Sequence, residues 1–484
     1  MENPRLFWIY PIIIFFLLFA PNLLREGMFV DGVWYAAISN NLAHDIGSFW
    51  TPLFTKTIYP IFYEHPPLAF WIQSMFFDLF GEHFFVERLY CFLVFLVSAW
   101  LIILIWREVF SEKPEYTSLS FLPIIFWMLN TGIFFAYPNN VLECTMTVFL
   151  ITSIYLLIKS TLLNNRLGYF LIILAGIFVA LGFLTKGFVA LFPLIFFLLY
   201  QPVFKTNITQ NLVRSMVLVG SFSLIIIIIF QSPDARMFFY NYLDNQVIAA
   251  LKGQRIENLR ENRFFLLIGL LNSFVIVGVV CLFLIASYYW FKKKSSTMIV
   301  KSPEVKKWGI FFILIGLSAS LPLLISLKQA GYYLVPSIAL FSIAISVLMA
   351  PITSKLISSL RSSKYHRWGL ISTLILLFVS IVLALSNIGT VDKRDRDRIA
   401  LVKEVSKVVP RGVVLSSNTE SFDHSLHGFF QRYHMVALDT VRKNLWKHNY
   451  ILSDRKMDSI SDEYNEKQIS GIYFYQKKPS YEIK

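Results

Sequence analysis

REGMFVDGVWYAAISNNLAHDIGSFWTPLFTKTIYPIFYEHPPLAFWIQSMFFDLFGEHFFVER, residues 25–88, is a long polar insertion between two apolar runs that each read as membrane spans. An acid, Asp31, follows the first span almost at once. Trp34, Tyr35, Ile38 and Leu42 come next at helical spacing, then a Pro-rich aromatic stretch with Glu64, His65, Pro66 and Pro67, then an apolar run from Leu68 to Phe80. Apolar faces that alternate with charges predict helices lying on a membrane surface rather than across it.

Outward from this insertion the chain is apolar throughout. Of 484 residues 56% are hydrophobic, 17% aromatic and only 15% charged, with a mean hydropathy of +0.60, outside the range of a soluble globular domain. A helix needs about 20 apolar residues to cross a bilayer core. On that basis the sequence predicts eleven spans, roughly 7–24, 84–106, 118–136, 141–159, 168–184, 187–200, 214–231, 263–290, 308–326, 332–350 and 368–387. The formal charge of +14 comes from basic residues in short loops, where they set topology and meet lipid head groups, so nucleic acid is not the expected partner. Cys91, Cys144 and Cys281 lie in or beside apolar runs without metal-ligand spacing.

Loop charge gives an orientation. A cytoplasmic N-terminus puts Arg107 and Lys113, Lys159 and Arg166, Lys205 and Arg214, the lysines from Lys292 to Lys307, and Lys355 to Arg367 inside. The insertion, the turns near Asn140, Lys186 and Lys328, the loop 232–262 and the tail then face outside. That outer loop carries Arg236, Lys252, Arg255 and Arg260 on the disfavoured side, which an anionic ligand would explain. Residues 1–390 form the membrane domain, and 391–484 read as a small extracytoplasmic α/β domain. Its strands are expected in VVLSS (413–417), HMVALD (434–439) and GIYFYQKK (471–478), with helices at 396–408 and 423–432. His424, His427 and His434 lack a closing ligand and read as surface histidines.

Asp31, Glu64, His65, Glu143, Lys186, Arg255 and Lys328 are all expected at one membrane face. Glu143 and Lys186 stand out, since each interrupts an otherwise apolar run, NNVLECTMTVFL (139–150) and LGFLTKGFVALF (181–192). Ionisable groups at membrane depth are costly and mark functional sites by default. The bland reading has each one capping a helix or snorkelling to the interface.

Asp31 with Tyr35 four residues on, YEHPPLAFW (63–71), FFVERL (84–89), the acid Glu143 opening a span, FLTKGFVALF (183–192) and SLKQAGYYLVPSIAL (326–340) occur in an order that resembles the GT-C membrane glycosyltransferases using polyprenyl-phosphate sugars, in particular the lipid A aminoarabinose transferases and protein mannosyltransferase-like enzymes. The resemblance covers about residues 5 to 350 and implies a polytopic helical fold of about 11 to 13 spans with amphipathic surface helices in the first external loop. It implies an inverting hexosyl- or pentosyltransferase of the bacterial inner membrane, acting on a lipid, protein or glycan acceptor at the extracytoplasmic face. By resemblance Asp31 and Glu143 are the catalytic carboxylates, and Tyr35, Glu64, His65, Lys186, Arg255, Lys328, Tyr332 and Tyr333 bind donor or substrate. His65 stands where relatives usually have a lysine. No cofactor is specified, and a divalent cation stays open.

The residue types suit that chemistry on their own terms. Displacing a phosphate from an anomeric carbon needs cations for the leaving group and a carboxylate for the acceptor's proton or an oxocarbenium-like transition state. A lipid-linked donor accounts for a site at the membrane face, and no nucleotide-binding domain is present in the sequence pattern. A transporter or flippase of lipid-linked anions is the alternative from another class, disfavoured by the lack of an internal repeat. A third reading is an assembly or receptor protein whose tail binds a partner.

Overall fold

The structure is a computed structural model that describes residues 4–163, 165–252, 264–292, 302–326, 328–361, 366–418, 424–457, 463–469 and 471–478. The chain divides into two compact units, one of residues 1–24, 64–66 and 91–388, the other of residues 25–63, 67–90 and 389–484.

The first unit is helical. Among the described residues seven helices are long and apolar enough to cross a membrane: Leu6–Leu24, Val86–Val109, Leu142–Thr161, Arg166–Phe204, Ile208–Ile229, Pro303–Ile325 and Gly331–Ser358. Two bent pairs raise the number to nine: Pro114–Met128 with Thr131–Asn139, and Phe265–Ser273 with Val275–Trp290. All eleven expected runs fall on helix, and the counts differ for physical reasons. The runs at 168–184 and 187–200 are one helical stretch that contains a 3₁₀ segment, Gly187–Ile195, and the run at 368–387 lies in the helix His366–Leu385. Leu224, Ile227 and Ile228 on the Ile208–Ile229 helix point outward, as lipid-facing side chains do.

Leu142–Thr161 and Arg166–Lys186 pack against each other and are joined by a tight turn, in which the Gly168 amide donates to the Asn165 side chain at 3.2 Å. So short a connection makes the pair antiparallel, and the start of one helix lies beside the end of the other. Gly176 lets the Ile208–Ile229 helix come close, since a Cβ there would lie 1.9 Å from Ser221 Oγ.

In the second unit the tail forms a five-stranded sheet of β1 (Val414–Asn418), β2 (Ala437–Asp439), β3 (Tyr450–Ser453), β4 (Tyr464–Ile469) and β5 (Ile472–Lys477), in the order β2-β1-β3-β5-β4. The first three strands are parallel and the last two pair antiparallel. Leu415, Leu438, Leu452 and Phe474 on one face pack with Val402 and Val405 of the Arg396–Val405 helix and Phe429 and Phe430 of the His424–His434 helix.

The insertion contributes two helices to this unit, Val30–Ala43 and Leu68–Phe80. Val30–Ala43 is enclosed on nearly all sides, where the sequence pattern predicted a surface helix with one free face. Its polar residues meet protein groups: Asn41 Nδ2 donates to the carbonyls of Leu53 (2.8 Å) and Phe54 (2.9 Å), Gln431 Nε2 donates to Asn41 Oδ1 (2.8 Å), and Ser39 donates to Gln73 (3.0 Å).

Arg432 is a deeply buried charge of this unit. Its guanidinium, 1% exposed, pairs with Glu87 at 2.7 Å, donates to the carbonyls of Glu82 and His83, and stacks on the Phe77 ring at 4.5 Å. Arg432→Met is expected to destabilise the unit by about 3–5 kcal/mol, because it leaves the Glu87 carboxylate buried without its partner. Thermal unfolding and protease resistance of the purified protein check this. An unchanged midpoint would mean that solvent reaches Glu87 freely.

Candidate active site

A cavity of about 160 Å³ in the first unit is lined by Glu64, His65, Glu143, Lys186, Lys328 and Tyr333, with Tyr242, Gln246 and Ser326 adding polar groups and Val189, Ala250 and Leu323 an apolar wall. Residues far apart in sequence meet here because of the antiparallel pair. Glu143 lies in the first turn of Leu142–Thr161 and Lys186 is the last residue of Arg166–Lys186, so both reach the same end. The positive end of one helix dipole favours the carboxylate and the negative end of the other favours the ammonium, each by about 0.3–1 kcal/mol.

Lys186 Nζ is 3.1 Å from Glu143 Oε1, and the two side chains are 7% and 1% exposed. The same ammonium is 3.3 Å from His65 Nε2 and 5.6 Å from the centroid of the Tyr333 ring. The backbone amide of Lys328 donates to Ser326 Oγ at 3.1 Å.

The Thr-Lys-Gly sequence has a steric reason. Gly187 takes φ +77°, and a Cβ on it would lie 2.0 Å from the Tyr242 hydroxyl. Tyr242 fills that notch and donates to the Lys186 carbonyl at 3.4 Å. Burial pushes the Tyr242 phenol up, so it remains a neutral donor.

Of the residues expected from sequence, the structure brings Glu64, His65, Glu143, Lys186, Lys328 and Tyr333 to this cavity. Tyr332 packs edge-on against Tyr333, ring centroids 5.1 Å apart, and is not among the lining residues. Asp31 and Tyr35 belong to the second unit. Asp31 lies in the first turn of Val30–Ala43, and Tyr35 is buried against Phe70 with centroids 5.5 Å apart. Arg255 lies outside the described residues. Tyr242, Gln246 and Ser326 were not anticipated. The only signal in NYLDNQVIAAL (241–251) was the four-residue spacing of Tyr242 and Gln246. Among the described residues no group of three or more His, Cys, Asp or Glu side chains is arranged to hold a metal ion.

The whole chain aligns with the crystal structure of ArnT from Cupriavidus metallidurans bound to undecaprenyl phosphate, over 98% of both chains, with a TM-score of 0.62 at 13% identity. The chain has the ArnT fold. This is the GT-C architecture to which the motif order pointed, and the chain is accordingly an integral membrane protein. Sequence comparison agrees. Residues 64–231 match the family of dolichyl-phosphate-mannose-protein mannosyltransferases. The undecaprenyl phosphate-alpha-4-amino-4-deoxy-L-arabinose arabinosyl transferase 1 of Proteus mirabilis is 26% identical over 245 residues, 49% of this chain and 42% of the relative. The corresponding transferase of Aeromonas hydrophila is 29% identical over 194 residues, 38% of this chain and 32% of the relative. The chain thus spans less than half the length of the curated relatives it matches. The resemblance read from the motifs is borne out.

Proposed function

We propose that the ArnT-fold chain is a glycosyltransferase that moves a sugar from a polyprenyl-phosphate carrier to a lipid, protein or glycan acceptor. The observation that carries this reading is the convergence of two lysines, Lys186 and Lys328, with an imidazole and two carboxylates in one cavity with an apolar wall. Such a cavity suits a phosphate whose prenyl tail stays in hydrocarbon. The names of the relatives favour undecaprenyl phosphate as the carrier and an amino-deoxy-pentose as the type of sugar.

In the proposed reaction the acceptor oxygen attacks the anomeric carbon from the face opposite the phosphate. The bond from that carbon to the phosphate oxygen breaks, its electron pair leaves on the phosphate, and configuration inverts. Lys186 and Lys328 bind the phosphate before and after cleavage. Asp31 takes the acceptor's proton, an assignment that rests on motif order, and Tyr35 keeps its neighbouring place in that motif. Glu143, expected as a second catalytic carboxylate, works through Lys186 by holding its charge and position. Arg255 and Tyr332 remain donor-binding candidates by resemblance. Membranes containing the protein, given radiolabelled polyprenyl-phosphate sugars, should lose label from the carrier and gain it in a lipid, protein or glycan fraction. Label that stays on the carrier while the protein is folded counts against the reading.

We propose further that the protein resides in a bacterial inner membrane with the cavity and the tail on the extracytoplasmic side, as loop charge suggests. A C-terminal alkaline phosphatase fusion is expected to be active and a C-terminal GFP fusion dark. The reverse pattern overturns the orientation.

A further inference from the structure

We propose that His65 is a proton-accepting ligand of the donor phosphate: it takes up one proton when a phosphodiester enters the Lys186–Lys328 cavity and gives it back when the phosphate leaves. The inference rests on the proposed reading of this cavity as a site for lipid-linked phosphate and adds how its charge is balanced.

The starting point is the 3.3 Å contact between His65 Nε2 and Lys186 Nζ. An ammonium has donors only, so Nε2 must present its lone pair and the ring proton sits on Nδ1. The imidazole is neutral in this arrangement, because imidazolium would turn a second N–H donor and a second positive charge toward Lys186. The lysine meanwhile is fixed from the other side by Glu143 Oε1 at 3.1 Å.

Among the described residues the titratable groups lining the cavity with His65 are Glu64 from its own segment, Glu143 from Leu142–Thr161, Lys186 from Arg166–Lys186, Tyr242 from Pro233–Tyr242, and Lys328 and Tyr333 from the stretch after Ser326. Among the described lining residues two carboxylates therefore face two ammonium groups, and with neutral His65 these groups balance. A phosphodiester brings one negative charge into a space walled by Val189, Ala250 and Leu323, where an uncompensated charge is costly. As phosphate oxygen competes with His65 Nε2 for the Lys186 ammonium, in the proposal Lys186 turns a hydrogen bond from the imidazole to the phosphate, which frees that lone pair. Imidazole alone among these groups has an ordinary pKa near neutrality, about 6.5. A proton from water on Nε2 restores the balance, and the new N–H donates to the phosphate. The same N–H then meets the charge that grows on the leaving oxygen when the glycosyl bond breaks.

The sign of the pH dependence follows from linkage: binding that takes up a proton weakens as pH rises, by up to about tenfold per pH unit. The test is isothermal titration of the full-length protein in detergent with farnesyl methyl phosphate, a diester that does not itself titrate near neutrality, in two buffers of different ionisation enthalpy. Wild type is expected to take up close to one proton at pH 7.5 and to lose affinity between pH 7 and 8.5. His65→Gln should bind more weakly at pH 7, with no proton uptake and a flat profile. Wild-type binding with no buffer-dependent heat and no slope overturns the role of His65 alone and leaves the phosphate site standing. Uptake that persists in His65→Gln also overturns it, by assigning the proton elsewhere. No binding of the diester at any pH overturns the inference together with the reading of the cavity. Since the wild-type measurement decides by itself, a His65→Gln protein that fails to fold does not rescue the proposal.

Discussion

Lys186→Met is expected to lower kcat/KM for sugar transfer by about 10³-fold and to destabilise the protein, whereas the double variant Glu143→Leu/Lys186→Met regains stability without regaining transfer. The pair is buried, with 3.1 Å between charged atoms. Removing one member leaves an uncompensated charge and costs about 3–5 kcal/mol, while replacing both with apolar side chains of similar size is often neutral or stabilising. Stability and catalysis therefore separate. In the proposed mechanism the ammonium meets the phosphate charge in the ground state and meets it more strongly as charge grows on the leaving oxygen, so both KM and kcat suffer, and an electrostatic contact of this kind is typically worth about 10²–10³-fold in turnover alone. Thermal unfolding in detergent, run beside transfer kinetics, reads both. A double variant that transfers sugar at near-normal rates would reduce the pair to a structural clamp between two helix ends.

Asp31→Asn is expected to lower transfer by about 10²–10⁴-fold with little change in folding or donor binding. The amide keeps the shape of the side chain and cannot take a proton, so the loss falls on the transition state. A purely structural role predicts something else. The N-cap of the Val30–Ala43 helix is Phe29, and Asp31 lies in the first turn, where its charge favours the helix through the dipole by about 0.3–1 kcal/mol. Loss of that term shifts the unfolding midpoint slightly and leaves transfer alone. Near-normal turnover by purified Asp31→Asn sinks the catalytic assignment and makes Glu64 the next acid to test.

How far the sequence could be read depended on whether a residue's role was local. Glu143 and Lys186 were legible because a charge inside an apolar run is too costly to persist without a partner or a task, and the helical runs were legible from length and composition. The number of spans was not. Gly187 breaks a helical run by its backbone angle while the chain stays apolar, and the 42° bend between Phe265–Ser273 and Val275–Trp290 also leaves no mark in composition. Strands β1, β2 and β5 were expected from their apolar residues. In contrast β4, YNEKQI, is an edge strand with four exposed polar residues, and β3 has only four residues. The Val30–Ala43 helix misled because Ser39, Asn40 and Asn41 look like a solvent face, yet the partners of Ser39 and Asn41 are Gln73, two backbone carbonyls and Gln431. Tyr242 escaped notice for the same reason, since its contact with Lys186 crosses 56 residues of chain.

The central claim is that a bond between sugar and carrier phosphate is broken at the Lys186 cavity. Purified protein in liposomes loaded with a polyprenyl-phosphate sugar and an acceptor extract measures this directly through the release of free polyprenyl phosphate. The account predicts one polyprenyl phosphate per sugar transferred, in wild type and not in Lys186→Met. Intact donor moved from one leaflet to the other, with no polyprenyl phosphate released, would contradict it and make the chain a carrier of lipid-linked sugar.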